Sequence, residues 1–99
     1  MARIVVIDDE PIVCELTVRI LELTGHSVAK ALDSDTGLKA IRENPPDLVI
    51  TDMAMPGGDG VELIHILAGE YPDIPIIAMS GATDSAQFLY LASYLGAER

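Results

Sequence analysis

The residues best suited to chemistry are carboxylates: Asp8 and Asp9 side by side, followed by Glu10, and Asp52 far along the chain. Asp8-Asp9-Glu10 follows the apolar run Ile4-Val5-Val6-Ile7, and Asp52 follows Leu48-Val49-Ile50-Thr51. A third such run, Ile74 to Met79, leads into Ser80-Gly81-Ala82-Thr83. Short continuous apolar runs read as strands buried on both faces, as in a parallel sheet. Ligands gather at the carboxyl ends of such strands. Carboxylates brought together there raise one another's pKa unless a counter-charge joins them. A hard divalent cation supplies it, and Mg²⁺, which takes carboxylate and backbone oxygens while keeping several waters, also receives phosphate. The pattern therefore predicts a Mg²⁺-assisted phosphate site. Asp52 is its candidate nucleophile and Ser80 offers a hydroxyl to a phosphoryl oxygen.

Taken singly, each piece has a plainer reading. An acidic pair after a strand is an ordinary start to a helix, an Asp before a Met-Pro-Gly-Gly loop an ordinary turn residue, and Ser-Gly an ordinary turn. Their joint placement at the ends of different strands carries the functional reading. His26 and His65 have no ligand-like spacing and read as surface or helix-face residues, and Met53, Met55 and Met79 as packing residues.

The elements that must position these groups alternate along the chain. After the first strand, Pro11 suits a first helical turn, where its missing N–H costs nothing. Ile12, Val13, Leu16, Ile20 and Leu23 recur at helical spacing as the expected core face, and Gly25 closes the helix. Ser27 to Ala31 reads as a second strand. Asp33 or Ser34 caps a second helix with Leu38 and Ile41 inward, ended by Asn44-Pro45-Pro46. Asp59 opens a third, with Val61, Leu63, Ile64 and Leu67 as its apolar side. Pro72 and Pro75 frame the Ile74 to Met79 strand. Thr83 or Asp84 opens a final helix holding Phe88, Leu89, Leu91, Tyr94 and Leu95 up to Gly96. Four strands alternating with four helices imply right-handed crossovers and a doubly wound parallel sheet.

Composition narrows the function classes. The 99 residues make one small domain (1–99), 49% hydrophobic, with sixteen acidic against six basic residues and a net charge of −10. That balance argues against a nucleic-acid-binding surface in this segment. The single cysteine, Cys14, excludes an internal disulfide and fits a reducing compartment; it reads as a small buried or half-buried residue. No signal peptide or membrane-spanning run is visible, so a cytoplasmic protein with no membrane contact is expected.

The chain resembles the receiver domain of two-component response regulators. The resemblance rests on IVVIDDEP, on DLVITDMAMPGGDGVEL with its D-x-x-M-P-x-x-D-G pattern, on IPIIAMSG and on the closing YLGA, in the family's order and spacing. It implies a flavodoxin-like sheet of order 2-1-3-4-5. It also implies that Asp52 is the aspartate phosphorylated by a sensor histidine kinase or histidine phosphotransfer protein. Asp9 would ligate Mg²⁺ directly, Asp8 through water, and Asp52 and the backbone carbonyl of Ala54 would complete the protein ligands. Ser80 would turn inward to hold the phosphoryl group, and the output domain or target is unspecified. The role implied is a phosphoacceptor rather than an enzyme, although receivers promote their own phosphotransfer and dephosphorylation. Ala54, the residue two after the acceptor, offers no hydrogen bond to an attacking water.

The given sequence stops where the family's fifth strand would begin, so strand 5, helix 5, the family's phosphate-pairing Lys and its switch aromatic are absent from this stretch, which is expected to be a piece of a longer polypeptide. Lys30 and Lys39, the only lysines, lie in the wrong part of the chain. Were the chain truly to end at Arg99, the fourth strand would be an open edge, and dimerisation through that edge or the final helix, swapping or poor stability would be expected. Tyr90 and Tyr94, one turn apart, read either as the partner surface on that helix or as partly buried packing residues. Three other readings compete with this one. The alternative is a phosphate-independent pseudo-receiver, an interaction module: the intact acidic pocket argues against it, and the missing Lys argues for it if the chain naturally ends at Arg99. A haloacid-dehalogenase-type phosphatase places its nucleophile after the first strand with a second Asp two positions on, where this chain has adjacent aspartates. A dinucleotide-binding fold would need a Gly-rich turn after the first strand.

Overall fold

The computed structural model describes residues 2–52 and 59–79. Within them β1 (Arg3–Ile7), α1 (Pro11–Leu23), β2 (Ser27–Ala31), α2 (Ser34–Glu43), β3 (Leu48–Asp52), α3 (Asp59–Glu70) and β4 (Ile76–Met79) follow one another. The four strands form a parallel sheet of order β2-β1-β3-β4, as the expected order 2-1-3-4-5 requires for its first four members. The final helix, with Tyr90 and Tyr94, and the sequence beyond Met79 lie outside the described residues.

The apolar runs split by period two between two cores, as side chains alternate across a strand. Val5, Ile7, Ala31, Val49, Ile76 and Ala78 meet Ile41 of α2 and Leu63, Ile64 and Leu67 of α3 on one face. Ile4, Val6 and Ile50 meet Cys14 and Val18 of α1 on the other. Arg42 of α2 ties the helices of the first face together: Nε and Nη2 donate to the two carboxylate oxygens of Glu70 on α3, at 3.0 and 2.5 Å.

Helix ends follow the local chemistry. Pro11 stands in the first turn of α1. At its other end Gly25 takes φ +92°, open to glycine at no steric cost. Its N–H donates to Glu22 O and that of His26 to Leu21 O, the paired bonds of a Schellman cap. Asp33 caps α2, its Oδ1 accepting from Thr36 N at 2.7 Å, and Asn44 ends it before the two prolines.

Four expectations are corrected. The face of α1 that reaches the core is Cys14, Val18 and, half-buried, Leu21; Ile12, Val13, Leu16, Ile20 and Leu23 are 84, 40, 59, 55 and 86% exposed. The helix carries apolar residues on two stripes, and only one of them lies against β1 and β2. Val61, placed on the inner side of α3, is exposed. The fourth strand starts at Ile76, not Ile74, which lies in the preceding turn with its N–H bonded to Tyr71 O. His26 is not a plain surface residue: it is half-buried and its Nδ1 accepts from Ala2 N at 3.0 Å.

The α1 correction is measurable by chemical denaturation. Leu16→Gln should change stability by no more than about 0.5 kcal/mol, as surface substitutions do. Val18→Ala should cost more, on the order of 1–2 kcal/mol, because it opens a gap under the helix. Equal costs would show that both stripes are packed.

Candidate functional site

β1 and β3 are neighbours in register, with Ile7 opposite Thr51. The next residues, Asp8 and Asp52, therefore leave the same edge of the sheet beside each other. Asp8 N–H still donates to Ala31 O at 3.0 Å, extending the β1–β2 ladder by one residue and holding the Asp8 backbone in place. Asp8 Oδ1 accepts from Glu10 N at 3.0 Å, which turns the chain into α1. The first helical bond follows, Cys14 N to Glu10 O at 2.9 Å. Strand, turn and helix start thus fix the acidic pair within three residues.

Asp8, Asp9 and Asp52 each offer a carboxylate oxygen, and these atoms all lie within 4.8 Å of one another. Asp8 and Asp52 are buried and Asp9 is half-buried. Burial pushes the Asp8 carboxyl above the usual carboxylate range; the Glu10 N–H bond opposes the shift, and the charges of Asp52, Asp9 and Glu10 add to it. A set of hard oxygen donors whose negative charges repel one another in a partly desolvated place fits a small divalent cation. Asp8, Asp9 and Asp52 are the residues here that would hold it. Ser80 and Ala54, the other expected members of the site, lie outside the described residues.

Cys14 is fully buried, its Sγ 4.0 Å from Ala31 O. Burial, then the Asp8 charge, raise its thiol pKa. This agrees with a packing residue and not with a nucleophile.

The Asp8 shift has a defined sign in stability. An acid whose pKa is raised in the folded state binds more protons folded than unfolded between the two pKa values. Stability from this group therefore falls as pH rises through that window, and the cost is fully present at neutral pH. Asp8→Asn keeps an acceptor for Glu10 N–H and removes the charge. It should stabilise the protein at neutral pH in chelator, on the order of 0.5–2 kcal/mol, the common gain from a single stabilising substitution. The gain should shrink as pH falls to the unfolded-state pKa. Thermal melts of both proteins across pH check this, and a destabilised Asp8→Asn at neutral pH would contradict it.

Comparison with known proteins places this geometry. Residues 4–98 match the family model described as response regulator receiver domain. The chain belongs to that family. The receiver is 38% identical over 80 residues to the nitrogen assimilation regulatory protein NtrX of Azorhizobium caulinodans, covering 79% of this chain and 18% of that protein. It is also 38% identical over 96 residues to the response regulator GtcR of Aneurinibacillus migulanus, covering 96% and 38%. A crystal structure of a response regulator receiver domain protein from Clostridium thermocellum superposes with a TM-score of 0.85 at 34% identity, over 98% of this receiver and 78% of that chain. The receiver spans well under half the length of the two curated relatives. None of its described helices is long and apolar enough to cross a membrane.

Sequence reasoning named all three carboxylates that converge. It missed Gly37 of α2, which is buried against Ile7, immediately before Asp8. A lone glycine inside a helical pattern was the available signal.

Proposed function

We propose that this receiver is a Mg²⁺-dependent phosphoacceptor switch in a two-component system, working in the cytoplasm, with Asp52 as the acceptor. The observation that carries the reading is the convergence of the Asp8, Asp9 and Asp52 carboxylates within 4.8 Å at the carboxyl edge of the sheet. A carboxylate oxygen of Asp52 attacks the phosphorus of a phosphohistidine on a sensor kinase or phosphotransfer protein. The P–N bond breaks, the imidazole leaves with its electron pair and takes a proton, and an acyl phosphate forms on Asp52. Mg²⁺ bound at this site would supply positive charge to the phosphoryl oxygens. Asp8, Asp9 and Asp52 would hold that cation, with the Ala54 carbonyl as a further ligand, and Asp8 is itself held by the Glu10 and Ala31 backbone bonds. Ser80 then takes a phosphoryl oxygen, and its loop and the following helix shift in a pre-existing two-state equilibrium read by an output domain or target protein. The chain acts as a phosphoacceptor and not as an enzyme on a separate substrate.

Intact-mass spectrometry after incubation with acetyl phosphate tests this. A phosphoryl adduct is expected with Mg²⁺ and not with EDTA. A folded chain that takes no phosphoryl group under either condition would overturn the reading in favour of a phosphate-independent interaction module.

A further inference from the structure

We draw no further inference here: the strongest candidate, the outward apolar stripe of α1 formed by Ile12, Leu16, Ile20 and Leu23, is an unpartnered helix face, and nothing in the structure shows what covers it.

Discussion

Asp52→Asn should take up phosphoryl groups from acetyl phosphate at least about 10³-fold more slowly than the parent chain, the scale on which removing a covalent nucleophile acts. Its fold should be intact. The side chain keeps its shape at the end of β3, where Asp52 pairs in register with Met79, but an amide has no carboxylate oxygen to attack phosphorus. Stability should move the other way. Asp52 contributes to the raised pKa of Asp8, so removing its charge relaxes the repulsion among three close carboxylates, and the variant in chelator should melt no lower than the parent. Mg²⁺ should raise the melting temperature of the parent by linkage, and that of the variant less, because one oxygen ligand is weakened. Intact mass with peptide mapping reads the first expectation and thermal melts the second. An adduct that persists in Asp52→Asn and maps to Asp8 or Asp9 would displace Asp52 as acceptor.

The largest stability effect should come from the pair beneath the site. Ile7 is 1% exposed and lies against Gly37 of α2: a Cβ built on Gly37 would come within 2.6 Å of Ile7 Cγ1 and closer still to Cδ1. Ile7→Ala should cost about 2–5 kcal/mol through lost burial and the cavity left behind. In a domain of this size that is a fall in melting temperature of roughly 4–8 °C per kcal/mol. Gly37→Ala alone sets a helix-propensity gain of about 0.5–1 kcal/mol against the displacement of a close-packed isoleucine, an overpacking cost of about 1–3 kcal/mol, and should destabilise. With Ile7→Ala in place both clashing carbons are gone. The new methyl then fills part of the cavity, and Gly37→Ala should stabilise. The expected signature is this reversal of sign, a coupling of about 0.5–3 kcal/mol, read from denaturant titrations of the four chains. The same effect of Gly37→Ala in both backgrounds would show that the two residues do not press on each other. Because Ile7 precedes Asp8, Gly37→Ala in the parent background should also slow phosphorylation.

Much of this receiver was legible in its residues. Unbroken apolar runs at Ile4–Ile7 and Leu48–Thr51 can be buried only between two layers, so the strands and the helices covering both faces were implied together. Pro11, Gly25 and Asp33 mark helix ends through local backbone chemistry that needs no tertiary context. The carboxylates were legible for the same reason: a polar residue straight after a buried strand has to lie at the sheet edge. What the tertiary structure alone decided is where each helix turns its side chains. In α1 the stripe Ile12, Leu16, Ile20 and the stripe Cys14, Val18, Leu21 are both apolar at helical spacing, and periodicity alone does not rank them. The ranking comes from how the chain, leaving β1 through the Asp8–Glu10 turn, sets the helix against β1 and β2, which buries the second stripe and leaves the first in solvent. The close approach of Gly37 to Ile7 and the 4.8 Å convergence of the three aspartates are likewise products of strand register and helix placement, since both join residues that only the folded sheet makes neighbours.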